Sequence, residues 1–578
     1  MTQTDNSDPM AVVNNATPSL ERDRPQPGKQ SPPEPAPAPA STPAPSKKGA
    51  RFWLIFVAIA LTTFLAALDT SIISTALPTI AADLGSDSLY VWIIDSYLLA
   101  STATIPIFAQ AANIYGRRSL TLIAVCIFTL GSGLCGGAHN TAMMVGGRAV
   151  QGLGGGGILT MSEIVVCDMV SIRERGMYAG IIGSVWAIAA VVAPVMGGAF
   201  AQNISWRWIF YINLPIAGVS LIALGLFLKL ARPPSGTLKQ QMARIDWGGS
   251  ILLIGSVTSI VLALSWGGSE HPWSAWQTIV PLIIGLIALL AFFVYQGSPW
   301  LKEPTMPLRL FGNRTSSTLL IISFIHSLLL YWICYFLPVY FQAVKEASPT
   351  RSAVMLFPIA CTSAPAGVAA GIAITKTGKY RIWHFSGFVL MSIACGLFTL
   401  LDEDSSTGAW VGFQIIFGVG CGCVFTSTLP PILASLPDSD VATATGAWTF
   451  IRNFGSIWGV AIPAAVFNNH VNHAAHKISD DRVKGLLVDG GAYEHATQYF
   501  LKTFDSDPDL KAEVVQVYLN GLKVVWQVSI AFCLLGFILC FIVRSLVLRD
   551  ELNTEYGLKE EKTESNELKS SEEGVVRT

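Results

Sequence analysis

Between residues 53 and 548 the chain alternates long apolar runs with short polar ones. A helix needs about 20 apolar residues to cross a bilayer. By that rule fourteen spans fall near 53–78, 89–111, 119–138, 142–166, 177–200, 208–228, 247–266, 278–297, 315–341, 352–375, 383–401, 408–434, 441–467 and 522–548. Backbone groups in lipid have no water to bond, so runs of this length are expected as helices. The predicted fold class is all-α and polytopic. Flanking the spans, residues 1–50 are rich in Pro, Ala and Ser, and 549–578 are charged and polar. Neither can bury a core, and both are expected as disordered tails.

The polar runs differ in sign. Lys47/Lys48/Arg51, Arg117/Arg118, Arg173/Arg175, Lys229 to Arg244, Lys302 to Arg314, Lys376 to Arg381 and Arg544/Arg549 fall on one side if the spans alternate. The runs DLGSDS, GAHN, GGSEHPWSAW and DEDSS fall on the other, where Lys345 and Arg351 are the exceptions. Cations mark the cytoplasmic side, so both termini are expected there. The long cationic connection after the sixth span suggests a six–two–six partition: a bundle at 51–230, a two-helix insert with its loops at 231–300, and a second bundle at 301–548 that includes an outer loop at 468–521. Two six-span halves around a midplane site is the repeat logic of secondary transporters.

Composition narrows the class. Of 578 residues, 52% are hydrophobic and 13% charged, too apolar for a soluble chain of this length. Net charge is −1, so no overall basic character suggests nucleic acid, and none is expected as a partner. Most of the ten cysteines lie inside apolar runs, where a thiol acts as a small hydrophobe. No metal or cofactor site is expected. Zinc-protease, nucleophile-elbow and nucleotide-loop motifs are missing, so an enzyme is not expected either.

Asp69 is the central candidate. It sits about 24 Å into the first span, where a carboxylate is costly and functional by default. Arg148 and Asp95 each lie about 9 Å below the outer ends of their spans, at a similar level. Two acids and an arginine at one depth could trade partners as a proton arrives; the plainer alternative for Asp95 is a wet helix end. The run GRAVQGLGGGGI at 147–158 lacks the Lys-Ser/Thr of a phosphate loop and is expected to pack helices closely, with Arg148 and Gln151 turned to a cavity. Small residues at 189, 193 and 197, and at 190 and 198, with Pro194 between them, suggest a tight, kinked hinge. In the second half, His326 and Arg452 lie near mid-membrane as possible cavity residues; a bonded core histidine is the alternative for His326.

These motifs together resemble the major facilitator superfamily, and within it the fourteen-span drug:proton antiporters, most like their fungal members. LDTSIISTALPTIAADL, NIYGRRS, GRAVQGLGGGG and GIIGSVWAIAAVVAPVMGG carry the likeness, with SWRWIFYINLP and RIDWGGS as further matches, over roughly residues 50–548. The resemblance implies two six-helix bundles with two inserted helices and proton-coupled export of small amphipathic compounds such as drugs, toxins or secondary metabolites. A proton-coupled importer, such as a siderophore or nutrient permease, is the alternative. It assigns proton coupling to Asp69 and Arg148, joined here by Asp95, and a cytoplasmic gate to Asn113, Gly116, Arg117 and Arg118. The antiporter hinge falls on Gly180, Pro194, Gly197 and Gly198. The sequence departs from the family where aspartate is usual at 113, and where glycines are usual at 109, 189 and 193. A monomer in the plasma membrane is expected, with the vacuolar membrane as the alternative.

Overall fold

A computed structural model of the chain describes residues 48–84, 92–230, 237–267, 271–488 and 490–550. The tails expected to be disordered lie almost wholly outside the described residues, as do parts of three loops expected on the outer side and of the cationic connection. Among the described residues, fourteen helices are long and apolar enough to cross a membrane. They are α1 Ala50–Leu84, α2 Trp92–Tyr115, α3 Arg117–Gly136, α4 Thr141–Met169, α5 Arg175–Asn203, α6 Trp208–Phe227, α7 Trp247–Trp266, α8 Trp276–Gln296, α9 Arg314–Ala343, α10 Pro349–Thr377, α11 Arg381–Phe398, α12 Thr407–Ala434, α13 Val441–Ala474 and α14 Pro508–Ile542. Polar residues start several of them. The Asn140 and Ser406 side chains accept from the backbone N–H three residues on, the usual relief for unpaired first-turn donors.

The last helix is the main departure from the expected spans. It begins at Pro508, capped by Asp507, rather than near 522. The stretch PDLKAEVVQVYLNGLKVVW thus feeds straight into the span. The segment before it folds into short helices, Asp481–Leu487, Gly491–Glu494 and Gln498–Lys502. Tyr518 donates to the Ala492 carbonyl at 2.8 Å and Tyr493 lies against Phe336 at 5.4 Å, so this segment caps the bundle beneath it.

Glycines set the packing of the first six helices. A Cβ at Gly152 would sit 2.5 Å from the Tyr97 carbonyl oxygen, and one at Gly131 within 2.6 Å of three Gln151 atoms. The glycine-rich run of α4 therefore lets α2 and α3 close on it, as the sequence suggested. The last six helices fill their core with aromatics instead; Trp332, Trp448 and Trp526 are all fully buried. The insert, α7 and α8, packs as a pair, and much of α8 stays exposed, as suits a helix facing lipid. One polar cluster ties the pair to α2. Asp246 accepts from Gly249 N at 2.7 Å and Gln296 Nε2 at 2.6 Å, while its own N–H donates to Gln110 Oε1 at 3.3 Å.

Candidate functional site

Asp69 on α1 and Arg148 on α4 meet inside the first six helices, 0% and 1% exposed. Arg148 Nη1 donates to Asp69 Oδ2 at 2.5 Å and to Gln151 Oε1 at 2.6 Å, and its Nε donates to the Ile93 carbonyl at 3.0 Å. The guanidinium lies over the Tyr97 ring, 4.3 Å from its centre. Asp69 Oδ1 accepts from Gln151 Nε2 at 2.6 Å and Asn213 Nδ2 at 3.0 Å. Ser132 Oγ accepts from both of those amides, at 2.8 and 3.3 Å. Side chains and backbone from α1, α2, α3, α4 and α6 thus close one network. Buried charge survives when paired and hydrogen-bonded, and both conditions hold here.

Two expectations change at this site. Gln151 is fully buried within the ion-pair network rather than lining a cavity. Asp95 does not join it: Ser265 Oγ on α7 donates to Asp95 Oδ2 at 2.6 Å. At about 100° per residue, Asp95 points some 200° away from Ile93, whose carbonyl faces Arg148. Equal depth did not imply a shared face.

A second cluster sits where α2 turns into α3. Gly116 holds a φ of 84°, a conformation that favours glycine, and lets α3 start at once. Arg117 is buried; its Nε donates to Asp168 Oδ2 at 2.8 Å, and its Nη1 to the Ala112 carbonyl at 2.7 Å and Asn113 Oδ1 at 3.2 Å. Asn113 Nδ2 then donates to Thr443 Oγ1 of α13 at 3.1 Å, which links the two bundles. Arg118 is turned outward and bonds the Gly225 carbonyl. On the same face, which also carries the start of α1 and is called the terminal face here, Arg173 donates to the Lys376 carbonyl at 2.9 Å. Arg309, outside the spans, donates twice to Asp440 at 2.7 Å, bonds that raise its pKa.

Helix α5 divides its small residues between two neighbours. Near the terminal face a Cβ at Gly180 would lie 2.9 Å from Val368 N of α10, and one at Gly371 2.5 Å from Met177 Cα. Further along, Ala189 and Ala193 are buried with Leu68 and Ile72 of α1, within the first bundle. Pro194 and Gly197 are buried, whereas a Cβ at Gly198 would meet nothing within 4 Å. Of the four expected hinge residues, Gly180 lies between the halves and Gly198 faces open space. From Ser184 onward an apolar cleft of about 640 Å³ separates α5 from α10. The bundles are therefore closed at the terminal face.

In the second bundle His326 is buried, and its Nε2 lies 3.0 Å from the Cys421 carbonyl. That is the bonded core histidine, not a cavity residue. Arg452 is half-buried, its guanidinium carbon 4.3 Å from the Phe425 ring centre and 4.4 Å from that of Trp448. Its Nε has no hydrogen-bond partner. Glu163 of α4, which sequence reasoning passed over, is half-buried too, and Arg452 is its charged neighbour. Asp168, Ser132 and Asn213 were also missed. The first two sit at a span end or look like ordinary small residues; Asn213, a polar residue in an apolar span, was the readable signal.

Residues 59–460 match the sequence signature of the Major Facilitator Superfamily. The chain is 88% identical to the "Efflux pump FUS6" of Gibberella fujikuroi, over 95% of this chain and 99% of that one. It is 61% identical to the "Acurin A biosynthesis cluster MFS-type transporter" of Aspergillus aculeatus, over 89% and 93%. Among solved structures, the human organic anion transporter MFSD10 (TETRAN) shares the fold at a TM-score of 0.56 and 13% identity, over 85% of this chain and 100% of that one. Two six-helix bundles, an inserted pair and a match to the family over most of the spans agree: the chain belongs to the Major Facilitator Superfamily and is an efflux transporter.

Proposed function

We propose that the transporter exports a small amphipathic organic compound in exchange for protons, by rocking the bundle at 51–230 against that at 301–548, with the insert at 231–300 carried alongside. The terminal face is then the cytoplasmic one, both termini are cytoplasmic, and the membrane is the plasma membrane. The observation that carries the proton coupling is the Asp69–Arg148 pair, a carboxylate sealed inside the span region by five helices. A proton on Asp69 would cancel its charge and release Arg148, and rearrangement of that network is the switch. The bonds of Asn113 and Arg117, with Gly116 shaping the turn and Arg118 at its rim, act as the cytoplasmic latch in the closed form. Close contact at Gly180, with the bend allowed by Pro194, Gly197 and Gly198, supplies the hinge along α5. The names of the relatives, an efflux pump and a biosynthesis-cluster transporter, support a secondary metabolite as cargo.

The test uses inside-out vesicles that carry the purified pump, with the dye rhodamine 6G added to the bath. An acid interior should speed dye uptake, and Asp69→Asn should remove that acceleration while the protein stays folded. Dye uptake indifferent to the gradient in the unaltered protein would overturn proton coupling.

A further inference from the structure

Glu163 on α4 and Arg452 on α13 come from different bundles. Each is the other's charged neighbour, yet they form no ion pair. Among the described residues the Glu163 carboxylate accepts no hydrogen bond and the Arg452 guanidinium donates none, and Arg452 Nε is buried without a partner. A buried donor such as this Nε is normally bonded. Arg148 and Arg117, by contrast, each bond a carboxylate.

Position explains what the pair is for. Thr445 of α13 touches Cys167 of α4, at 3.8 Å between Oγ1 and Sγ, and Asn113 bonds Thr443. Glu163 lies one turn of α4 away from Cys167, and Arg452 two turns of α13 away from Thr445, both on the side facing the interior. The pair therefore sits directly behind the seal at the terminal face, at the floor of the space between the bundles. Ser162, beside Glu163, accepts from Thr63 at 3.2 Å, about 20 Å along α1, which puts this floor near the middle of the span region.

The Arg452 side chain is also posed. Phe425 and Trp448, whose ring centres lie 5.9 Å from each other, flank the guanidinium on adjacent sides, and Trp448 is itself fixed by donating to Ser323 Oγ at 3.0 Å and to Thr428 Oγ1 at 3.1 Å. The rings hold the planar group in place, and a guanidinium bonds through its in-plane N–H edges. Those edges are donors only, and an ionised carboxylate is an acceptor only.

We propose that Glu163 and Arg452 form a clamp for the polar head of the cargo, and that this head is uncharged and carries an acceptor and a donor side by side: a carbonyl oxygen for Arg452 and an adjacent N–H for Glu163, as in a secondary amide or lactam. A carboxylate head would meet the like charge of Glu163, and a cationic head that of Arg452. An amide satisfies both residues and brings no charge of its own into the spans. The proposal rests on the reading of the chain as an exporter of small amphipathic compounds and names the chemistry of its cargo.

The test is equilibrium binding to the full-length pump in lipid nanodiscs, with no pH gradient. The probes are tritiated benzanilide and its ester isostere phenyl benzoate, which lacks the N–H, with benzoate and phenylalanine as anionic and zwitterionic controls. Benzanilide should bind about tenfold or more tightly than phenyl benzoate, the cost of leaving a buried acceptor unpaired. Glu163→Ala should erase that difference by weakening benzanilide alone, whereas Arg452→Ala should weaken both probes. Equal affinity for amide and ester in the unaltered protein, no binding of either, tighter binding of benzoate or phenylalanine, or an amide preference that survives Glu163→Ala would each overturn the clamp. The amide–ester comparison needs no variant, so it stands even where a substitution disturbs folding. Gradient-driven dye export with no amide preference would sink the clamp alone; amide preference without gradient-driven export would sink proton coupling alone.

Discussion

Two of this protein's arginine–carboxylate pairs, Asp69 with Arg148 and Glu163 with Arg452, are built in opposite ways. Asp69 and Arg148 belong to one bundle, are shut from solvent, and have their bonding capacity nearly filled by Gln151, Asn213 and the Ile93 carbonyl. Glu163 and Arg452 come from different bundles, are half-buried, and share no bond. Both arginines lie on aromatic rings at 4.3 Å, so the difference is in hydrogen bonding, not in the surface beneath them. A pair within one rigid bundle keeps its geometry while the bundles rock; only a change of charge can undo it. A pair across the bundles is parted or closed by the rocking itself. The saturated pair suits a switch, and the unsaturated pair suits a binding site.

The comparison breaks hardest at Arg148. Arg148→Ala deletes three bonds and leaves Asp69 as a buried, unpaired charge, a loss of about 3–5 kcal/mol. Thermal unfolding of the purified variant should show a large drop, and export should be absent. Arg148→Lys should recover part of both, because a point charge replaces a fork. An unfolding midpoint like that of the unaltered protein would mean that the pair is not what holds this network together.

Asp69→Asn comes next. Oδ1 accepts from two amides and Oδ2 from Arg148, so an asparagine must aim its NH2 at a donor whichever way it lies. The expected loss is about 1–3 kcal/mol, with gradient-driven transport gone. Retention of gradient-driven export would take Asp69 out of the coupling.

Much of this was readable beforehand, for definite reasons. A span is a property of composition over about 20 residues, so the fourteen helices could be read locally. The depth of Asp69 and Arg148 could be counted along their helices, and counting put them together correctly. Counting gives depth but not azimuth, which is why Asp95 was grouped with them when its side chain faces Ser265 of the insert. Glu163 escaped because it lies near the end of an expected span, where charge is cheap. Only its nearness to Arg452, 289 positions later in the chain (452 − 163), marks it, and no local pattern encodes that contact.

Arg452→Met sharpens the contrast from the other side. No hydrogen bond is lost, and the cation–ring attraction, worth about 0.5–2 kcal/mol, is set against relief of a desolvated charge. The unfolding midpoint should move by less than about 1 kcal/mol in equivalent stability, while export falls. A loss as large as that at Arg148 would make Arg452 a structural ion and erase the distinction between the pairs.

The smallest effect is expected at Asn113, whose bond joins the two bundles. Its Nδ2 donates to Thr443 across the bundles and its Oδ1 accepts from Arg117. Asn113→Asp removes the donor, but the Thr443 hydroxyl can turn and donate to the new carboxylate. The bond to Arg117 gains charge assistance. That gain is limited, because Asp168 already pairs Arg117 at 2.8 Å and would repel a second carboxylate. The balance favours the closed latch by about 0.5–1 kcal/mol, which is a two- to fivefold shift toward the form closed at the terminal face. A cysteine placed at Ser184, on the cleft between α5 and α10, reports that form. Its labelling from the far face should rise two- to fivefold in the Asn113→Asp variant, with slower turnover. Unchanged labelling and turnover would mean that Asn113 does no more than finish α2, and that the seal is held by the packing at Gly180 and Gly371 alone.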